Sequence, residues 1–235
     1  MGKDIKESRQ FHLSVEGINC ETMYFEHLAK LINESEADYK MKLNCKMMSP
    51  ISFAKRNSHR PVDKHNKKAI PYIHIQDVED YYDDKQLAKF KKLIDDMRKA
   101  EQDYGITYKL GYSNYTFELW MLLHVRDMKH AVANRYAYLR WINNSFHKNF
   151  TVIDEYKSVD NFQEILDEYV TLESIFKAIS RAEDIINNNS EEQKSKENYK
   201  GVIFYHDNPD LNVHDVVKLI FDVCGVKEQR LHNAS

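Results

Sequence analysis

An α/β fold built on a parallel sheet with flanking helices is what this sequence predicts, and three observations predict it. Along the first half of the chain the apolar period switches between two and about 3.6 and back. Acidic residues fall where two of the resulting strands stop. The second half carries helical periodicity almost throughout, giving a helical C-terminal half to a strand-rich start.

In "FHLSVEGINCETMYF", residues 11 to 25, Phe11, Leu13 and Val15 alternate with His12, Ser14 and Glu16, and Tyr24, Leu28, Leu31 and Ile32 then recur at helical spacing. Glu16 thus sits where the strand stops and Glu21 where the helix starts. Leu43, Cys45 and Met47 alternate through a short strand over 42–46. The stretch from Lys55 to Lys68 has no periodicity and reads as an exposed loop. Ile73 and Ile75 make a β-branched run with Pro71 at its start and Asp77 at its end. Leu87, Phe90, Ile94 and Met97 predict a helix ending before Gly105. "TYKLGYS" is a further strand, and "NYTFELWMLLHV" opens a buried helix. The order β-α-β-loop-β-α-β-α implies a parallel sheet, whose ligands bind beyond the carboxyl ends of the strands. Residues 1–125 form this core. Residues 126–235 form a helical region that completes the same domain. Within it, Phe162, Ile165, Leu166, Tyr169, Leu172, Ile175, Phe176 and Ile179 fit one face of a single long helix. "NNNSEEQKSKEN", 187–198, reads as a polar linker. Val213, Val216, Val217, Ile220 and Val223 form a last helix stopped by Gly225.

Composition narrows the function classes. A chain of 235 residues that is 42% hydrophobic and 12% aromatic can bury a sizeable core. Its apolar runs are too short to cross a bilayer, and the polar start, MGKDIKESRQ, has no signal-peptide character. Cys20, Cys45 and Cys224 lie far apart, so neither a disulfide framework nor a zinc knuckle is suggested, and a cytoplasmic address is expected. The net charge of −3 is unevenly spread. Lys55, Arg56, Arg60, Lys64, Lys67 and Lys68 form a basic block, and Asp77, Glu79, Asp80, Asp83 and Asp84 an acidic one. Charge runs in general are solvated loops. Here the acids fall at strand ends, which gives them another use.

Carboxylates converging at strand ends suit a hard divalent cation. Mg²⁺ or Mn²⁺ takes oxygen ligands, keeps several waters, and is held by one or two carboxylates plus substrate phosphates. Asp77 and Glu79 alternate along an extended segment with Asp80 next to them, so one short stretch supplies several oxygens. Other chemistries lack their signatures: there is no glycine-rich phosphate loop, no HExxH and no nucleophile elbow. His124, on an apolar helix, reads by itself as a core histidine, and Phe117 and Trp120 as core aromatics.

Four segments carry a family resemblance. "VEGINCETMYF" resembles the EGxxTExxYF opening of the RloB family, "IHIQDVEDYYD" its D-x-D-D segment, and "SNYTFELWMLLH" its SNPxFExWxxLH signature. "NPDLNVHDVVKLI" is similar to its closing motif, and the four occur in the family's order. The resemblance implies a Toprim-like metal-dependent nuclease core, a role in phage defence by abortive infection, and an ATPase partner. It makes Glu16 the Toprim glutamate and Asp77 and Glu79 the D-x-D pair, with Asp80 adjacent. Glu21, Asn114, Glu118 and His124 fall on further family positions. Glu79 stands where the family has Asp, Cys20 where it has Thr and Tyr115 where it has Pro.

The expected function is therefore cleavage of nucleic acid, DNA or RNA including tRNA, by a Mg²⁺- or Mn²⁺-dependent endonuclease. Glu16, Asp77 and Glu79 are the expected metal ligands, and Asp80 and Glu118 join them in the catalytic set. Lys55, Arg56, Arg60, Lys64, Lys67 and Lys68 would hold the substrate backbone, with Asn114 and His124 as further substrate contacts. A homo-oligomer and a nearby ATPase are the expected protein partners. A different class, a non-catalytic nucleic-acid sensor or adaptor docking on an ATPase, is separated by showing no metal-dependent cleavage. A phosphohydrolase of small nucleotides is a weaker third reading.

Overall fold

The computed structural model describes residues 6–17, 19–57, 70–79 and 82–228. Four parallel strands, β1 (Ser8–Val15), β2 (Lys40–Met47), β3 (Tyr72–Val78) and β4 (Tyr108–Asn114), lie in the order β2-β1-β3-β4. The period-two segments of the sequence are these strands. α1 (Cys20–Glu34) links β1 to β2, α2 (Pro50–Asn57) follows β2, and α3 (Asp84–Tyr104) links β3 to β4. From β1 the chain moves outward to β2, then returns past β1 to β3. The direction of winding therefore reverses between β1 and β3, the place where sheets of this kind bind ligands.

Alternation assigns each strand residue to a face. Phe11, Leu13, Val15, Ile73 and Ile75 join one buried cluster with Tyr24, Phe25 and Leu28 of α1 and with residues of the second half such as Leu166, Ile175 and Val217. Val78, Leu110 and Tyr112 join another with Phe90, Ile94 and Met97 of α3. Both faces are covered, and β4 is buried along most of its length, whereas β1 keeps the polar His12 and Ser14 on its α3 face. α3 starts at Asp83, whose side chain accepts the Lys85 N–H, and stops at Gly105 with φ 63°.

The second half is helical as expected and adds short strands. α4 (Glu118–Leu123) is followed by α5 (Tyr138–Ser145), α6 (Ile153–Tyr156), α7 (Val159–Tyr169), α8 (Leu172–Glu191) and α9 (Val213–Cys224). β5 (Lys196–Tyr199) and β6 (Val202–Tyr205) form a hairpin, and β7 (Asp210–Leu211) runs antiparallel on β4. Among the described residues no helix is long and apolar enough to cross a membrane.

Three readings are corrected. The single long helix is two, because Thr171 caps α8: its hydroxyl accepts the Ser174 N–H at 3.1 Å, and the Ser174 hydroxyl accepts the Thr171 N–H at 2.9 Å. The apolar stripe continues across the break because both helices pack on the same core. The polar stretch 187–198 is not a linker but the end of α8 and the start of β5. Its Asn189 is buried and donates to the Pro209 C=O at 2.8 Å while accepting from Lys194 Nζ at 2.8 Å. Lys55 and Arg56 belong to the last turn of α2 rather than to a loop. Arg60, Lys64, Lys67, Lys68 and Asp80 lie outside the described residues.

Candidate active site

Glu16 is the first residue past β1, and its N–H donates to the Ile75 C=O at 3.1 Å. Val15 pairs with Ile75, so Glu16 lies beside Gln76, on the α3 face of the sheet. Asp77, one residue further, points to the α1 face and pairs with Ser113 of β4. Two acids from adjacent strands thus flank the carboxyl edge from opposite sides. Glu16 closes the gap with one oxygen: its Oε2 accepts the Asp77 backbone N–H at 3.2 Å and a bond from Gln76 Nε2. Glu79 follows β3 and is held by Gln86 Nε2 at 2.9 Å and by Arg135. Glu16, Asp77 and Glu79 all line one cavity of about 240 Å³, together with Gln86 and Lys89. The three expected metal ligands therefore line one cavity, with the Asp77 side chain turned to the opposite face of the sheet from Glu16.

A second group of acids lies behind Asp77. Asp77 keeps part of its surface open, yet its Oδ1 is enclosed with no hydrogen-bond partner among the described residues. Glu118, at the first turn of α4, is 2% exposed; its Oε1 takes Lys157 Nζ at 2.9 Å and its Oε2 has no partner. Glu21, in the first turn of α1, is 6% exposed and folds back over Gly17, where an added Cβ would collide with its carboxylate. Burial holds the Asp77 carboxyl well above the usual range, and the negative charges of Glu21 and Glu118 add to this. Glu21 is pushed up to about 7, by burial first and then by Glu118 and Glu16, against the help of its own backbone N–H. Glu16 is raised by burial and less by Glu79, with the Asp77 N–H acting the other way. Burial opposes the charge on Lys157, but Glu118 and Asp77 outweigh it and raise its pKa.

This donor set fits a hard cation in kind. It is all carboxylate, it contains two enclosed oxygens without partners, and Glu16, Glu21 and Asp77 are raised by burial first and by neighbouring acids second, a cost that a divalent charge would relieve. Among the described residues no group of three His, Cys, Asp or Glu side chains is placed to close around one ion. Mg²⁺ and Mn²⁺ do not require that, because waters and phosphates complete their shells.

The remaining site residues differ in placement. Asn114 ends β4, buried, with Oδ1 unpartnered. His124 is buried with Nδ1 at 3.0 Å from the Trp120 C=O and Nε2 at 3.2 Å from Tyr24 Oη, and burial lowers its pKa to about 4. It does not line the cavity at Glu16 and Asp77. Lys157, Arg135 and Gln76 went unnoticed in the sequence. Strand parity points to Gln76, since it lies beside Glu16; nothing local marks Lys157 or Arg135, whose contacts are made across distant elements.

No curated protein and no solved structure matches the chain. The family model described as RloB-like protein matches residues 11–220. That span runs from β1 into α9 and includes every acid of the site, so the chain belongs to the RloB-like protein family.

Proposed function

We propose that this protein is a Toprim-type endonuclease, dependent on Mg²⁺ or Mn²⁺, that cleaves nucleic acid in anti-phage defence. One observation carries the reading: Glu16 and Asp77, from the two strands at the switch point, share a hydrogen bond through the Asp77 amide, and Asp77 Oδ1 faces a crowd of acids without a partner. Glu16, Asp77 and Glu79 would hold the cation, with Asp80 and Glu118 beside them. When bound, the cation supplies charge neutralisation at the scissile phosphate and a more acidic water. The chain's own groups do the rest. Gln76 and the Asp77 amide fix the Glu16 carboxylate, and Lys157 holds Glu118. Arg135, paired with Glu79, and Lys89, on the cavity wall, put positive charge where phosphate oxygens would arrive. Lys55, Arg56, Arg60, Lys64, Lys67 and Lys68 would track the backbone, with Asn114 supporting the substrate side; His124, buried between Trp120 and Tyr24, has no part in it. A cytoplasmic setting, an ATPase partner and self-association belong to the same reading.

The test is incubation of the purified protein with Mg²⁺ or Mn²⁺ and, separately, DNA, total RNA and tRNA, beside Asp77→Asn. Metal-dependent cleavage of at least one polymer, lost in the variant, is expected. Binding without any cleavage would leave a sensor or adaptor, and hydrolysis confined to small nucleotides a phosphohydrolase; either result overturns the endonuclease.

A further inference from the structure

The outer edge of the main sheet is only partly closed. β7 pairs with Ser113 and Asn114 alone. Asn212 extends the pairing by one residue: its N–H donates to the Tyr112 C=O at 2.9 Å, and its Oδ1 accepts the Tyr112 N–H at 2.7 Å. Backbone groups along a strand point alternately to its two neighbours. The Thr107 C=O accepts from Tyr72 of β3 at 2.8 Å, so Thr107, Lys109 and Gly111 serve β3 while Tyr108, Leu110 and Tyr112 face outward. Glu101 takes the Tyr108 N–H at 2.7 Å. Neither the N–H nor the C=O of Leu110 has a partner among the described residues, although Leu110 is only 5% exposed. Enclosed backbone groups are almost always paired.

A second edge faces the same space. In the β5–β6 hairpin Tyr199 pairs with Val202, which turns the backbone of Ile203 away from β5; its C=O accepts from Tyr112 Oη at 3.2 Å. Between the two edges lies a groove of about 530 Å³, within the size range of ligand sites. Met97, Leu110 and Val202 give it an apolar floor. Arg98 and Lys109 on its walls are ion-paired, with Glu101 and Asp215 at 2.9 Å each, which leaves Lys196 as the wall cation with no ion pair among the described residues.

We infer that this groove binds an extended peptide segment of a partner protein, carrying an acidic side chain among β-branched ones and adding a strand beside Leu110. Backbone complementarity supplies the affinity, and Lys196 selects the acidic residue. The inference is independent of the proposed nuclease function and stands or falls without it.

The test is a titration of ¹⁵N-labelled full-length protein with the capped peptide Val-Glu-Val-Thr-Val, followed by NMR. The amide resonances of Leu110 and Ile203 should shift downfield and exchange more slowly with solvent. Ile203→Pro removes an N–H that the hairpin ladder does not use, and Lys196→Glu reverses a charge on the wall; each should weaken binding about tenfold. Peptides N-methylated at alternate amides, in both registers, provide the backbone control, and one register should lose binding. No shift at these two amides with millimolar peptide, or full binding by both variants and both methylated peptides, overturns the proposal.

Discussion

Asp77 is held in a condition that an ordinary surface acid does not reach. Its Oδ1 is enclosed, and burial together with Glu21 and Glu118 raises its pKa. Glu21 rises from the ordinary 4.5 to about 7 for similar reasons. An acid with a raised folded pKa adds stability that is complete below its ordinary value and lost as the pH rises through the folded one. The metal-free protein should therefore lose thermal stability as the pH climbs from about 4.5 to about 7. Asp77→Asn and Glu21→Gln should flatten that decline and, at pH 7.5, melt no lower than wild type in EDTA. Melting curves across this range check it; variants that melt well below wild type with an unchanged pH profile would make the two acids plain structural caps. Lys157 is the counterweight. Lys157→Met leaves Glu118 enclosed and unpaired, at a cost of about 2 kcal/mol, below that of a fully buried pair because Lys157 is 30% exposed. Adding Glu118→Gln should recover most of the loss in urea titrations. Glu16 and Asp77 were legible as strand ends because alternation of two fixes where a strand stops. Lys157 was not, since its role depends on a long-range contact that no local pattern records.

At the scale of elements, periodicity served well where termination signals agreed with it. Gly105 and Gly225, at φ 63° and 69°, end α3 and α9 where the sequence places the stops. It misled where one apolar stripe crosses two helices. Phe162 to Ile179 keeps helical spacing through the break at Val170 and Thr171, because α7 and α8 both lay that stripe on the core. The only local sign is a Thr three residues before a Ser, a weaker form of the usual capping box. Thr171→Ala removes the acceptor of the Ser174 N–H and should cost about 1 kcal/mol in chemical denaturation. A neutral result would mean that packing of the two helices, rather than the cap, sets the break. The polar run at 187–198 misleads for a different reason: most of its side chains are exposed on the end of α8 and the start of β5, and only Asn189 is buried, satisfied by Pro209 and Lys194, so polarity there marks the solvent side of regular structure rather than a linker.

For the whole molecule, the reversal of winding between β1 and β3 explains why two acids far apart in sequence meet at one edge. Strand alternation alone predicts the sheet but not its order, so the sequence showed that Glu16 and Asp77 end strands and the fold makes those strands neighbours. The overall charge of −3 offers nothing to a polyanion, so approach by nucleic acid has to depend on local positive charge. The block from Lys55 to Lys68 carries six Lys or Arg with one Asp among them. Each phosphate neutralised releases counterions, and the slope of log K against log salt falls by about 0.9 per contact on duplex and about 0.7 on single strands. If Lys64, Lys67 and Lys68 each contact one phosphate, their joint replacement by Gln should reduce the slope by about 3 on duplex and about 2 on single strands. Binding isotherms for the Asp77→Asn protein, with and without the triple replacement, isolate this effect from cleavage. The size of the change also identifies which form of the polymer lies against the block. An unchanged slope on both forms would mean that these lysines are a solvated face and that Arg135 and Lys89, at the acidic cavity itself, carry the contact.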